Sequence, residues 1–160
     1  MKFYMRQKVF SFRDKFSIYD DQQVAKYHVE GKVLSLTNKL TFSDEHNRVL
    51  LHAHKPVISL LAKYYIEDEN KQQLAVIKRI FGLRPKFSLQ LENKMLKVSG
   101  SIFAHSFVIE DGDELIASIQ KRIISWGDTY EINVTDAYDP ALSLFIVVLL
   151  DQIIHEKKHH

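Results

Sequence analysis

The feature that most constrains this chain lies near its C-terminal end, where Ala141 to Leu150 is apolar except for Ser143 and is extended by Ile153 and Ile154 past Asp151 and Gln152. Asp139-Pro140 precedes the run. Asp is a strong N-cap and Pro is favoured at the first helical position, so the dipeptide predicts a helix over about 140–156. Lys157 and Lys158 beyond it suit the negative pole of the helix dipole. Such a helix is apolar on every side rather than along one stripe, so it must be surrounded by lipid or by protein. It falls short of the roughly 20 apolar residues of a bilayer span, and Asp151 would be expensive in hydrocarbon. Protein is the remaining enclosure.

The preceding residues, about 2–138, supply the wall. They read as short alternating segments such as Lys15–Tyr19 and Lys86–Leu91, with Val9–Phe12 and Lys32–Leu36 among the further candidates. Polar, turn-competent clusters separate them: Asp20–Gln23, Glu30–Lys32, Ser43–Asn47, Glu67–Asn70, Glu92–Lys94 and Glu110–Asp113. Counting between the clusters gives about twelve strands. A meander of that size must close or split, and a barrel of about twelve strands has a lumen wider than side chains alone fill. A helix about 10 Å across plugs it. The expectation is therefore a mainly β fold, a closed antiparallel barrel of roughly twelve strands enclosing a central hydrophobic C-terminal helix. With 160 residues, 46% of them apolar, no Pro/Gly-rich linker and no obvious internal repeat, one domain over 1–160 is expected. Pro56, Pro85 and Pro140 all fall at segment edges.

Composition narrows the chemistry. A formal charge of +2 from 22 basic and 20 acidic residues carries no nucleic-acid or membrane footprint by bulk electrostatics, so an anionic partner must be met by a local patch. The absence of cysteine excludes disulfides, thiolate nucleophiles and thiol-bound zinc, and fits a reducing compartment. Met1–Lys8 lacks the apolar core of a secretory signal, so a cytoplasmic location is expected, with peripheral membrane attachment as an extension of it.

The order of several stretches, together with the closing helix, resembles the LURP-one-related family. These are Tyr4–Lys8 leading into Asp14–Asp20, then Tyr27–Lys32, then Leu115–Arg122 running on to Tyr130–Val134. The resemblance spans essentially the whole chain. It implies a twelve-stranded barrel around a central hydrophobic helix, the fold shared with the tubby C-terminal domain and the phospholipid scramblases. The family carries no biochemical activity over to this chain. Its tubby relatives bind phosphoinositides through basic side chains on the barrel exterior, and the cysteine-rich segment and membrane-spanning extension of scramblases have no counterpart here.

Two constellations bear on function. The densest basic stretch, Lys78 to Lys86, places Lys78, Arg79, Arg84 and Lys86 around a short loop carrying Phe81 and Leu83, a pattern suited to anionic headgroups at a membrane interface. Its plain alternative is a solvated hairpin end. Lys121-Arg122, followed by Trp126, forms a second patch. His52-Ala53-His54 puts two imidazoles on one face of a strand, the spacing at which a barrel wall offers two metal ligands, with His28 or His105 as third-ligand candidates. Two surface histidines explain the pattern more simply. No nucleophile elbow, Walker loop, dinucleotide fingerprint or zinc-protease helix occurs, and the Glu110–Glu114 acids read as a charged hairpin. The terminal His159-His160 pair reads equally as native sequence or as a purification remnant. The expected role is a non-enzymatic binding or scaffold domain, without cofactor, that recognises anionic phospholipid headgroups or a protein partner on its exterior. The alternatives are a metal-dependent enzyme or metal-binding protein using His52 and His54, and a regulatory protein-interaction module. A plugged lumen leaves the exterior or a rim as the place for binding.

Overall fold

The computed structural model describes residues 1–6, 15–32, 39–56, 63–80, 82–83, 86–102, 104–124 and 127–155. The expected strand at Val9–Phe12, the greater part of that at Lys32–Leu36, and residues Phe81, Arg84, Pro85 and Trp126 lie outside the described residues.

Twelve strands form a closed antiparallel barrel in which each strand pairs with its sequence neighbours and β1 closes on β12. They are β1 (Lys2–Arg6), β2 (Phe16–Tyr19), β3 (Ala25–Lys32), β4 (Lys39–Asp44), β5 (Val49–His54), β6 (Lys63–Asp68), β7 (Gln73–Ile80), β8 (Lys86–Leu91), β9 (Lys94–Ser101), β10 (Ser106–Asp111), β11 (Glu114–Ile124) and β12 (Gly127–Val134). One helix, α1 (Pro140–His155), follows. Glu30-Gly31-Lys32, expected as a turn, instead continues β3 and pairs with β4 through Glu30↔Thr41 and Lys32↔Lys39. The ladder simply satisfies the backbone there, and a single glycine is no obstacle to it.

Side chains alternate across the wall with the period of a pleated strand. Phe3 and Met5, Leu51 and Ala53, Tyr64 and Ile66, and Ala75 and Ile77 are all buried inward. The helix fills the space they surround, and every residue from Ala141 to Asp151 is buried. Asp139 caps its entry: the Ala141 amide donates to Asp139 Oδ1 at 3.3 Å and the Ser143 amide to the Asp139 carbonyl at 3.0 Å. An aromatic chain ties rod to wall, from Phe3 to Tyr27 (5.8 Å between centroids), Tyr27 to Phe42 (5.1 Å) and Phe42 to Phe145 (5.1 Å).

Although the sequence has no obvious repeat, three hairpins are built alike at intervals of 24 residues. In each, an aspartate Oδ1 accepts amides two and four residues on: Gln22 and Val24 at Asp20, His46 and Arg48 at Asp44, and Asn70 and Gln72 at Asp68, all at 2.9 Å. The residue three after each aspartate is left-handed, Gln23 (φ 63), Asn47 (φ 62) and Lys71 (φ 64). A register shift stands just before each, at Ile18/Tyr19, Phe42/Ser43 and Ile66/Glu67. The buried residues Ile18, Phe42 and Ile66 share the 24-residue spacing. Identity across all three is limited to the aspartate, whose carboxylate caps the turn, and to the lysine five residues before it, Lys15, Lys39 and Lys63.

This connectivity gives the barrel two unlike ends. The hairpin turns after β2, β4, β6, β8 and β10 gather at the end where the helix enters; the connections after β1, β3, β5, β7, β9 and β11 leave the end it runs toward.

Phe145→Ala should cost about 3–5 kcal/mol of unfolding free energy, since its ring is fully buried where the helix meets the wall; urea denaturation followed by tyrosine fluorescence measures it. In the same assay Asp68→Ala should lose about 1 kcal/mol with its two amide bonds, while Lys71→Gly, freed of left-handed strain, should be neutral or gain up to about 1 kcal/mol.

Candidate functional site

The basic stretch is split by the pleat. Lys78 and Arg79 belong to β7 and Lys86 opens β8, with Lys78↔Ser88, Arg79↔Phe87 and Ile80↔Lys86 as cross-strand partners. Phe87 is buried inside the barrel, so Arg79 follows the inward parity while Lys78 and Lys86 stand on the outer face. Arg84 lies outside the described residues. In Arg79's place on the outer face the fold brings Lys63 of β6 directly opposite Lys78. Sequence reasoning missed Lys63 because only strand pairing makes it a neighbour.

Like charges facing each other across a ladder are destabilising. Here no carboxylate relieves them: among the described residues Lys63, Lys78 and Lys86 have no ion-pair partner. The Lys63 ammonium instead sits 4.8 Å from the Tyr65 ring centroid. Beside the cations, Ile80 is exposed and Leu83 fully so. The result is a set of unneutralised ammonium groups bordered by apolar side chains at the end of the barrel that the helix runs toward. An anionic surface would be stabilised there by each cation.

His52 and His54 do share the outer face of β5, with Ala53 buried between them. The His54 ring packs 5.5 Å from Tyr65, with its Nδ1 3.8 Å from Glu67 Oε1. The third-ligand candidates lie elsewhere. His28 Nδ1 is 2.8 Å from Ser17 Oγ on the β2–β3 wall, and partial burial, aided by Lys15, lowers its pKa. His105, left-handed at φ 51, sits between β9 and β10 and binds Asp151. Among the described residues no three His, Asp or Glu side chains are grouped to hold a metal.

The Asp151–His105 contact ties the end of the rod to the wall. Asp151 is buried, and the His105 ring stacks on Tyr130 at 4.6 Å. A carboxylate inside an apolar lumen demands a partner. The sequence shows the demand, but a partner 46 residues away becomes visible only once the barrel is closed.

At the opposite end a cleft of about 580 Å³ opens over Phe3, Tyr27 and Leu50. Its charges largely satisfy one another, Lys26 with Glu45 at 3.2 Å and Arg48 with Asp44 at 2.8 Å. Partial desolvation works against the Asp44 carboxylate, yet the amide and guanidinium of Arg48 together hold its pKa below the usual range. Burial, then Asp139, raises the pKa of the Tyr27 phenol. Nearby, Asp111 accepts from Lys94 at 3.0 Å and from the Tyr138 hydroxyl at 2.8 Å, clipping the helix entrance to β9 and β10. Those two bonds lower the Asp111 pKa, and the same contacts raise those of Lys94 and Tyr138.

A lowered carboxyl pKa contributes stability that is present above its unfolded value and lost as pH falls through the folded one; raised lysine and tyrosine values lose theirs as pH rises. Asp111→Asn should therefore melt earlier than wild type at neutral pH. The gap should close as pH drops below the ordinary aspartate range, about 4, in thermal scans across pH.

Among the described residues no helix is long and apolar enough to cross a membrane. The chain is similar to the protein YxjI of Bacillus subtilis (strain 168), itself described only as uncharacterised, at 30% identity over 155 residues covering 97% of this chain and 94% of the relative. A solved X-ray structure of a protein from Arabidopsis thaliana superposes with a TM-score of 0.70 over 96% of this chain and 90% of that one, at 18% identity, which speaks for the fold. The family model described as LURP-one-related matches residues 1–151. With that match over nearly its whole length, a barrel closed on its own helix and the B. subtilis relative beside it, the chain belongs to the LURP-one-related family.

Proposed function

We propose that this chain is a non-enzymatic binding domain of the cytoplasm that attaches peripherally to anionic phospholipid through its outer surface. The observation that carries the reading is the trio Lys63, Lys78 and Lys86, packed on adjacent strands without acidic partners among the described residues and bordered by exposed Ile80 and Leu83. Each such cation near an anionic membrane contributes about 1 kcal/mol, and the apolar pair adds interfacial burial. The filled lumen supports an exterior site, because the helix occupies the space in which an open barrel would hold a ligand. The resemblance of the fold to the tubby domain, whose exterior basic residues bind phosphoinositides, points the same way.

Co-sedimentation with phosphatidylcholine vesicles, with and without phosphatidylglycerol, tests it. Wild type should pellet only when the anionic lipid is present and should release as salt rises. The Lys63→Gln/Lys78→Gln/Lys86→Gln variant should bind about a hundredfold more weakly, three charges at about 1 kcal/mol each. Equal partitioning of wild type onto both vesicles would remove the proposal.

A further inference from the structure

Resting on the anionic-surface reading above, we infer that the barrel docks end-on, with the end toward which α1 runs facing the bilayer, and that its partner is a charged lipid plane rather than one bound headgroup. The inference comes from how the antiparallel topology sorts charge. Five consecutive strands, β4 to β8, bring Lys39, Lys55, Lys63, Lys78 and Lys86 to that end. On the opposite wall β1 ends at exposed Arg6, and β11 carries exposed Arg122 two residues from its last.

The other end carries an acidic excess. The hairpin turns and strand starts there expose Asp21, Glu45, Glu69, Glu92, Asp113 and Glu114 beside the cations Lys2, Arg48, Lys71 and Lys94, of which Arg48 is paired with Asp44 and Lys94 with Asp111. Among the described side chains the acids nearest the basic end are the buried Asp151, held by His105, then Glu30, two register positions in from the Lys32↔Lys39 pair, and Glu131, which is 3.5 Å from Arg122. Charge is thus separated along the barrel axis, and a negatively charged plane turns such a body with its basic end toward the surface.

Spacing decides between a plane and a single ligand. Neighbouring strands stand about 4.8 Å apart, so Lys39 on β4 and Lys86 on β8 are separated by roughly 19 Å around the wall. One phosphate cannot reach both, whereas a bilayer presents anionic groups to all of them at once. A phosphopeptide would need the cations to converge, and the curvature of the barrel directs neighbouring outer-face side chains apart.

The cysteine-free chain allows a direct test by single substitutions carrying an environment-sensitive fluorophore. Ile80→Cys on β7, and Ser101→Cys and Ser106→Cys on the neutral β9–β10 sector, mark the basic end; Glu69→Cys and Asp113→Cys mark the other. On phosphatidylcholine/phosphatidylglycerol vesicles the first three labels should shift toward the blue and the last two should not move. Neither inorganic phosphate nor a soluble phosphopeptide at matched ionic strength should displace the protein. A shift at Ile80 and Glu69 but not at Ser106 means the barrel lies on its β6–β8 wall and overturns the inference, as does displacement by either competitor. Wild type that stays in the supernatant when the anionic vesicles pellet fails the anionic-surface reading itself, so the two failures are told apart by whether the protein pellets.

Discussion

Everything in this molecule depends on the enclosure of one helix. Ala141 to Leu150 presents apolar side chains in every direction, and water on any flank would cost the free energy that folding draws on. Twelve antiparallel strands remove that exposure completely. In return the rod removes the liability of a wide barrel, whose lumen the inward side chains cannot fill by themselves. Neither part is a stable object alone, which makes the barrel wall and its plug a cooperative unit rather than a container and its contents.

The direction in which the helix enters organises the rest. Asp139 starts it at the hairpin end, where Tyr138, Asp111 and Lys94 hold the connection, and Asp151 meets His105 at the far end. The rod is therefore pinned near both termini by polar groups, while its middle is held by packing against rings such as Phe42. The charge of the wall follows the same axis, acidic where the helix N-terminus lies and basic toward its C-terminus. That sense complements the macrodipole within the barrel. It also leaves the molecule with a basic end on which no described carboxylate relieves the repulsion between Lys63 and Lys78, a cost that an external anion would offset.

Much of the architecture was legible before any coordinates because it rests on local patterns: the Asp-Pro start, the apolar run broken only by Ser143, and alternating segments punctuated by polar turns. Lys86–Leu91 matches β8 and Pro140 opens the helix. What could not be read is what pairing creates. Glu30-Gly31-Lys32 looks like a turn until β4 is laid beside it, and the 24-residue repeat is easily passed over because a lysine, an aspartate and one buried apolar residue are all that its three units keep in common. The candidate site suffered most. Lys78 and Lys86 were evident as a cluster, but the pleat sends Arg79 the other way and strand register supplies Lys63. His52 and His54 share a face as their spacing required, while His28 and His105, the candidates to complete a metal site, are occupied by Ser17 and Asp151 on other parts of the wall.

Native-state hydrogen exchange tests the enclosure most directly. If the wall surrounds the rod, amides from Phe145 to Leu150 exchange only through global unfolding, with an opening free energy equal to that from urea denaturation and the same denaturant dependence as the central strands. Exchange of those amides through a smaller, denaturant-independent opening, while Ile66, Ile77 and Ile132 stay protected, would mean that the helix leaves an intact barrel, and would contradict it.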